Sequence, residues 1–308
     1  MNILSVEQFD KNFLDSIFQK TLEFRDQSKD PQKRRDLLPL HYGQQMCSLF
    51  FEPSTRTRVS FELGAQKLEM GLVSTENAHV FSSAIKGETL EDTIKVISNY
   101  DVDVIVMRHN ETGAADRAAK VSEVPIINAG DGKGEHPTQA LLDTFTIYEK
   151  FGRLDNLKVV MGGDLANGRT VRSLAKLLSL YDGNQIDFVS TAGLRIGDDI
   201  KETLQNRRTS FKETEDMNES LATADVIYWT RTQKERIDDQ TLIGENLVID
   251  KSKLEIIPRG AIILHPLPRV NEITTEVDDD PRAYYFKQAK NGLYVRMALI
   301  DEIVERSG

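Results

Sequence analysis

Cysteine is almost absent from this sequence, which has one, Cys47, among 308 residues. A single cysteine excludes a disulfide framework and indicates a reducing compartment. No run of about 18 apolar residues occurs, which is the length that would span a membrane. Acidic residues occupy the part of the N-terminus where a signal peptide would be apolar, namely Glu7, Asp10 and Asp15. We therefore expect a soluble, cytoplasmic protein.

Positive charge is in deficit as well. Lys and Arg number 39 against 49 Asp and Glu, so the formal net charge is −10. A field of this sign repels nucleic acid and acidic membranes, and we expect neither as a partner. Clustered arginines in such a chain are better interpreted as a local site for a small anion.

The histidines and the cysteine lack the spacing of metal ligands. The sequence has five histidines, which are His41, His79, His109, His136 and His265. None of them lies at ligand spacing from another histidine or from Cys47, so we expect no metal site.

Nucleotide-binding motifs are also missing. Residues 161–168 join a predicted strand to a predicted helix, but their glycines do not follow the G-x-G-x-x-G pattern, and no G-x-x-x-x-G-K-[ST] occurs. The G-x-S-x-G elbow of serine hydrolases is absent too. The sequence therefore predicts no cofactor and no serine nucleophile.

The stretch from Ser48 to Glu62 carries the clearest chemical signal that is present. An apolar strand over 46–51 breaks at Pro53, and apolar residues at helical spacing follow. The first turn of this helix holds hydroxyl and guanidinium groups, namely Ser54, Thr55, Arg56 and Thr57. Free N–H groups and the positive end of the helix dipole make such a turn a site for phosphate or carboxylate. The alternative is an ordinary turn that is capped by Ser54 and carries solvated arginines.

Strand and helix patterns alternate along the rest of the chain. Strands are predicted over 102–107, 124–128, 158–161, 185–190, 226–229 and 261–264. Helices are predicted after the capping-box pair Ser5 and Gln8, from about 90, 113, 137 and 169, around 200, and over 282–304 with a break at Gly292. Such alternation predicts an α/β fold with mainly parallel sheets covered by helices.

The length predicts two domains, at about 150 residues for each. We expect the first to comprise 1–135 with 288–308 and the second 136–287, linked by a helix over 136–150. Conspicuous polar residues follow several strands, namely Arg108, His136, Arg169, Arg231 and the run His265-Pro266-Leu267-Pro268-Arg269. Because ligands bind beyond the carboxyl ends of parallel strands, we expect one cationic site in a cleft between the domains.

His136 has two interpretations. It begins a predicted helix whose dipole lowers the pKa of its imidazole, and a neutral imidazole there donates a hydrogen bond to a carbonyl oxygen. The alternative is a histidine that only caps its own helix.

Five motifs together resemble the aspartate carbamoyltransferase family. They are F-E-P-S-T-R-T-R over 51–58, H-P-T-Q-A-L-L-D over 136–143, G-D-L-x-x-G-R-T over 163–170, R-x-Q-x-E-R over 231–236 and H-P-L-P-R over 265–269. They keep the family's order and span nearly the whole chain. The aspartate assignment rests on Lys86, on Arg231 with Gln233, and on H-P-L-P, because ornithine enzymes typically carry a cysteine in the last motif.

The resemblance implies an enzyme that transfers the carbamoyl group of carbamoyl phosphate to L-aspartate, giving N-carbamoyl-L-aspartate and phosphate in de novo pyrimidine biosynthesis. Carbamoyl phosphate would be bound by Ser54, Thr55, Arg56, Thr57, Arg108, His136, Gln139, Pro266 and Leu267, the last two through backbone carbonyls. The catalytic residues would be Thr55, Arg56, Arg108 and His136. Aspartate would be bound by Lys86, Arg169, Arg231 and Gln233. No metal or cofactor is implied.

The family also implies an assembly. Its members are homotrimers in which the equivalents of Ser82 and Lys86 reach into the neighbouring subunit's site, and the sequence leaves open whether regulatory chains join a larger complex. The chain departs from many members at Ala166 and Asn167, where a Lys-Tyr pair is common, and at Ile85, where a second lysine is common. These positions lie outside the substrate set and bear on domain closure.

Two other functions are weighed against this one. A carbamoyltransferase for another amine would need an apolar or acidic pocket for its second substrate, whereas Arg169 and Arg231 favour a dicarboxylate. A non-catalytic scaffold would tolerate loss of the phosphate-binding residues, and none of them is lost.

Overall fold

The computed structural model describes residues 1–30, 32–33, 40–76, 87–132, 134–231 and 247–307. The chain forms two compact units, Met1–Leu142 with Lys290–Gly308 (unit 1) and Asp143–Ala289 (unit 2). The predicted domain boundaries, at 135/136 and 287/288, lie a few residues before the boundaries between the two units. The predicted domains remain a prediction. Several positions singled out above lie outside the described residues, namely His79, Ser82, Ile85, Lys86 and Gln233.

Unit 1 contains a four-stranded parallel sheet in the order β2-β1-β3-β4. Its strands are β1 (Gln45–Phe50), β2 (Gly71–Glu76), β3 (Val104–His109) and β4 (Ile126–Asp131). The helices of this part of the chain are α1 (Lys11–Lys29), α2 (Thr55–Lys67), α3 (Leu90–Ser98), α4 (Ala114–Val121) and α5 (Pro137–Phe151). The last of these contains the point at which the first unit gives way to the second.

Unit 2 contains a five-stranded parallel sheet in the order β7-β6-β5-β8-β9. Its strands are β5 (Lys158–Gly162), β6 (Gln185–Val189), β7 (Ser210–Thr214), β8 (Val226–Trp229) and β9 (Ile262–Leu264). The helices that follow α5 are α6 (Arg169–Leu178), α7 (Asp198–Asn206), α8 (Met217–Leu221) and α9 (Tyr285–Glu305). Two parallel α/β units with flanking helices confirm the predicted fold class.

The sequence predicted every central strand, because burial on both faces demands continuous apolar runs, and it also predicted the edge strands β4 and β9, which are buried throughout. β1, β3 and β8 are buried along almost their whole length. In unit 2, Val160, Ile227 and Ile263 from three neighbouring strands share one core with Trp229. Among the described residues, no helix is long and apolar enough to cross a membrane.

The prediction missed two edge strands and one short helix. β2 and β7 lie at the edges of their sheets and contain only half-buried and exposed residues, so their sequences lack an apolar run. Charged residues such as Lys212 and Glu213 are typical of edge strands, where they oppose pairing with another chain. The missed helix, α8, has only five residues and is capped by Asp216, which accepts the N–H of Glu219 at 3.0 Å.

Two helix boundaries were also predicted wrongly. The capping box of Ser5 and Gln8 closes a single 3₁₀ turn, Val6–Gln8, and α1 begins later with Asp10 as its cap. The tail forms one unbroken helix, α9, through Gly292. A Cβ at this glycine would lie 2.7 Å from Arg296 Nη1 and 3.0 Å from Leu142 Cδ2, so the glycine serves close packing and does not break the helix.

Candidate active site

The first turn of α2 is the place where the sequence predicts an anion site. Ser54 is the N-cap residue, but its side chain makes no capping hydrogen bond. In the part of the chain that the structure describes, Arg56 has no carboxylate partner, whereas Arg58 in the same turn is paired with Glu62 at 3.1 Å and Glu76 at 2.9 Å. Partial withdrawal from water lowers the pKa of the Arg56 guanidinium. These observations disfavour the alternative of a self-capped turn with two solvated arginines.

Arg108 lies beside this turn, inside β3 and not beyond the strand end as predicted. Arg108 is paired with Phe50 of the neighbouring strand β1, and its backbone carbonyl accepts the N–H of Phe51 at 2.9 Å. The residue is 9% exposed, and its Nη2 lies 3.0 Å from Oε2 of Glu52. Glu52 precedes Ser54 by two residues. It therefore holds the buried Arg108 guanidinium at the same sheet edge as the first turn of α2.

His136 directly precedes α5 and is 4% exposed. Its carbonyl accepts the N–H groups of Gln139 at 3.0 Å and Ala140 at 3.2 Å, so its backbone does cap the helix. Its Nδ1 lies 3.4 Å from the hydroxyl oxygen of Thr138. When that hydroxyl donates to Nδ1, the proton of a neutral imidazole lies on Nε2. The helix contacts of His136 use its carbonyl, whereas its predicted catalytic role would use the imidazole.

The loop before His136 is held by acidic side chains that the sequence analysis did not single out. Asp131 accepts the N–H of Gly113 at 2.8 Å through Oδ2 and that of Glu135 at 3.1 Å through Oδ1. Glu135 in turn accepts the N–H of Val6 at 2.7 Å. Gln139, predicted to bind the carbamoyl amino group, is buried in the first turn of α5. The two carboxylates therefore fix the loop from which α5 begins.

Arg169 is the first residue of α6 and is buried. The loop before it packs tightly, because a Cβ on Gly163, whose φ is +101°, would lie 2.1 Å from the carbonyl oxygen of Thr230. Asp164 is fully buried and accepts the backbone N–H of Asn167 at 3.0 Å and its side-chain amide at 3.2 Å. Asn167, one of the departures from the family pattern, thus stabilises this loop.

Arg231 follows β8, which is the neighbour of β5 in the sheet of unit 2. The close contact between Gly163 and Thr230 brings together the two loops that carry Arg169 and Arg231. Two guanidinium groups from adjacent strand ends suit a ligand with two carboxylates. Gln233 and Lys86, the other predicted aspartate ligands, lie outside the described residues.

The segment with Pro266 and Leu267 follows β9, next to β8. Leu267 has a φ of +52°, which is uncommon for a leucine and costs about 1–3 kcal/mol. The bond from Leu267 to Pro268 is cis. Arg269 anchors the far side of the segment by a bidentate pair with Asp278, which also accepts the hydroxyl proton of Tyr285.

A buried polar network behind this segment was missed at the sequence level. Asp143, fully buried, accepts the Tyr228 hydroxyl at 2.8 Å and the Gln288 side-chain amide at 2.6 Å. Burial raises the pKa of the Tyr228 phenol well above its usual value, so it donates as a neutral group. The oxygen of the Gln288 amide accepts the N–H of His265 at 2.9 Å. A carboxylate within the apolar stretch of α5 was the signal that such partners exist.

Comparison with known proteins agrees with this geometry. Two family profiles match: "Aspartate/ornithine carbamoyltransferase, carbamoyl-P binding domain" over residues 1–149, and "Aspartate/ornithine carbamoyltransferase, Asp/Orn binding domain" over residues 155–303. The chain is 48% identical to the chloroplastic aspartate carbamoyltransferase of Oryza sativa subsp. japonica, covering 97% of this chain and 84% of the relative. It is also 48% identical to the aspartate carbamoyltransferase catalytic subunit of Clostridium novyi, over 85% of this chain and 86% of that protein.

Solved structures give the same result. The catalytic subunit of the M. jannaschii aspartate transcarbamoylase matches with a TM-score of 0.90 and 40% identity, over 99% of this chain and 98% of that one. The Trypanosoma cruzi aspartate transcarbamoylase in complex with carbamoyl phosphate and aspartate matches with a TM-score of 0.92 and 36% identity, over 98% and 96%. The chain belongs to the aspartate/ornithine carbamoyltransferase family.

Proposed function

We infer that this chain is an aspartate carbamoyltransferase, which transfers the carbamoyl group of carbamoyl phosphate to the amine of L-aspartate. The products are N-carbamoyl-L-aspartate and phosphate, in the pathway of pyrimidine biosynthesis. The observation that carries the inference is the first turn of α2, where Arg56 has no carboxylate partner in the described chain and buried Arg108 lies alongside. The relatives and structures named above share this activity.

The anion site of unit 1 suits the phosphate of carbamoyl phosphate. Helix N–H groups, three hydroxyls and two guanidiniums offer more donors than a phosphate dianion needs, namely those of Ser54, Thr55, Arg56, Thr57 and Arg108. Glu52 keeps the buried Arg108 guanidinium oriented before substrate arrives. Because Arg56 lacks such a partner among the described residues, its binding to phosphate costs no existing ion pair.

The carbonyl oxygen of carbamoyl phosphate is assigned to Thr55, Arg108 and His136. When the amine of aspartate attacks the carbamoyl carbon, this oxygen becomes the oxyanion of a tetrahedral intermediate. Pre-organised donors at such an oxyanion contribute about 2.7–4 kcal/mol each. The C–O bond to phosphate then breaks, and the leaving phosphate takes the amine proton, so no covalent enzyme intermediate is needed.

Unit 2 suits L-aspartate, which carries two carboxylates. Arg169 and Arg231 follow neighbouring strands and each offers a planar donor fork for bidentate binding. We assign Gln233 and Lys86 to the same substrate from the family resemblance. Holding two anionic substrates in reactive geometry supplies roughly 7–11 kcal/mol in favourable intramolecular reactions, so positioning is comparable in size to the combined effect of the three oxyanion donors.

The test is phosphate release from carbamoyl phosphate by the purified chain, with L-aspartate and L-ornithine compared side by side. Release that depends on aspartate alone supports the reaction and the dicarboxylate role of the two arginines. Release with ornithine alone, or no release with either amine from a correctly assembled protein, contradicts the proposal.

We also propose that the chain works as a homotrimer with shared sites, to which Ser82 and Lys86 of each neighbour contribute. Exposed apolar side chains on α2 and on edge strand β2, Val59, Leu63 and Val73, support a protein interface next to the segment that carries those residues. Light scattering should give about 104 kDa, three times the 34.8 kDa of one chain. A monomeric mass at micromolar concentration contradicts the assembly.

The proposed location is the cytoplasm, which the single buried thiol of Cys47 supports. Fractionation of the source cells tests it, and recovery with membranes or in an organelle would contradict it. Whether regulatory chains join the trimer is tested by purification from the same cells without added tag or salt.

A further inference from the structure

His265 is a buried histidine in the H-P-L-P-R motif to which the family resemblance assigned no role. Its Nδ1 accepts the N–H of Leu267 at 2.8 Å, and its Nε2 lies 2.8 Å from Oε1 of Glu272. A backbone N–H is only a donor, so Nδ1 carries no proton in this arrangement, and the single proton of the ring lies on Nε2. His265 is therefore a neutral imidazole of one fixed tautomer.

The partners of His265 hold the ring from both sides. Glu272 also accepts the N–H groups of Val270 at 3.2 Å and Asn271 at 3.1 Å through Oε2. Although burial opposes its ionisation, the hydrogen bond from His265 lowers the pKa of the Glu272 carboxyl, which stays charged as an acceptor. On the backbone side, Gln288 accepts the N–H of His265 and is itself bound to Asp143.

The hydrogen bond from the Leu267 N–H to His265 also determines the direction of the Pro266 carbonyl. The N–H of Leu267 and the C=O of Pro266 belong to one planar trans peptide, in which they point in opposite directions. Holding the N–H therefore fixes the direction of the Pro266 carbonyl. The left-handed φ of Leu267, +52°, shows a backbone conformation that its surroundings impose.

We propose that His265 is a positioning residue that gives the enzyme its selectivity for the carbamoyl group, because it fixes the peptide whose carbonyl receives the carbamoyl amino group. The inference rests on the proposed function and on the family resemblance, which implies that Gln139, Pro266 and Leu267 bind the carbamoyl amino group, the last two through their backbone carbonyls. Phosphate is bound elsewhere, at the first turn of α2. Loss of His265 should therefore weaken recognition of the amino group and leave recognition of the phosphate unchanged.

Two substitutions of similar size distinguish the contribution of Nδ1 from that of Nε2. In His265→Asn the amide oxygen takes the position of Nδ1 and still accepts the N–H of Leu267. In His265→Gln the longer amide reaches the position of Nε2 and Glu272, but leaves Leu267 without its acceptor. The probes are carbamoyl phosphate as substrate and acetyl phosphate, which has a methyl in place of the amino group, as competitive inhibitor.

We expect His265→Gln to raise KM for carbamoyl phosphate by about tenfold or more, with the inhibition constant of acetyl phosphate and KM for aspartate changed less than about twofold. His265→Asn should retain most of the wild-type selectivity. Equal weakening of carbamoyl and acetyl phosphate, or equal behaviour of the two variants, would show a merely structural role and overturn the proposal.

Folding is checked separately by the thermal midpoint and trimer mass of each variant. If His265→Gln does not assemble, Glu272→Gln takes its place, since an amide cannot accept the N–H groups of Val270 and Asn271 as well as hold the imidazole. We expect the same loss of selectivity, and unchanged selectivity would refute the proposal. Wild-type release of phosphate with aspartate tests the proposed function itself, so the two failures are distinguishable.

Discussion

Replacing Arg56 by alanine should reduce activity without reducing stability. In the described chain Arg56 has no carboxylate partner, and its charge opposes the dipole at the start of α2. Removing that charge should leave the free energy of unfolding unchanged or raise it by about 0.3–1 kcal/mol. In the reaction, two hydrogen bonds from a charged group to phosphate are lost, at about 1.5–3 kcal/mol each. At about 1.4 kcal/mol per tenfold, kcat/KM should fall by roughly 10²–10⁴.

Arg58→Ala is the matched control, since it removes the same residue type two positions later in the same helix. Arg58 is paired with Glu62 and Glu76 and is assigned no substrate contact. Its loss should cost about 0.5–2 kcal/mol of stability, from two partly exposed ion pairs, and change kcat/KM by only a few-fold. The assays are phosphate release and urea unfolding. An Arg56→Ala protein with near wild-type kcat/KM, or one destabilised as much as Arg58→Ala, would refute the reasoning.

Three further predictions test other parts of the molecule. Arg169→Lys should raise KM for aspartate by about 10–10² while KM for carbamoyl phosphate stays constant, because lysine lacks the planar fork; equal changes in both constants would contradict the assignment. Inactive Lys86→Ala and inactive Arg56→Ala chains, mixed and reassembled, should regain part of the activity if sites are shared, whereas consistently inactive hybrids argue against sharing. His41 donates to Asp301 at 2.8 Å and is also hydrogen-bonded to Gln44, and although burial opposes its charge, these bonds raise its pKa above 6.5. The stability that it contributes is thus fully present below pH 6.5 and lost as pH rises through the folded pKa, so urea unfolding of wild type and His41→Gln should converge at alkaline pH. A difference that grows with pH would show the opposite linkage.

The residues that could be predicted from the sequence are those whose chemistry is local. Ser54 to Thr57 and Arg169 sit in the first turns of helices that follow buried strands, and a strand-to-helix pattern is readable within a dozen residues. Edge strands such as β7 were missed for the converse reason. β7 has no fully buried residue, and only its pairing with β6 makes it a strand. Burial on one face leaves too weak a pattern for local reasoning to detect.

The positioning residues were hidden by distance along the chain. Asp143 and Gln288 are separated by 145 positions, yet one hydrogen bond joins them. A buried carboxylate costs free energy unless it is hydrogen-bonded. Asp143 in an apolar helical stretch therefore indicates that hydrogen-bond donors exist, but not which residues supply them. Sequence reasoning therefore finds the candidates for substrate contact, because these residues stand at strand ends and helix starts. It does not find the residues that position those side chains, because the positioning depends on contacts that form only in the folded chain. The motif that contains His265 is visible in the sequence, but the tautomer of its ring, and hence its proposed positioning role, depends on Glu272 and the Leu267 N–H.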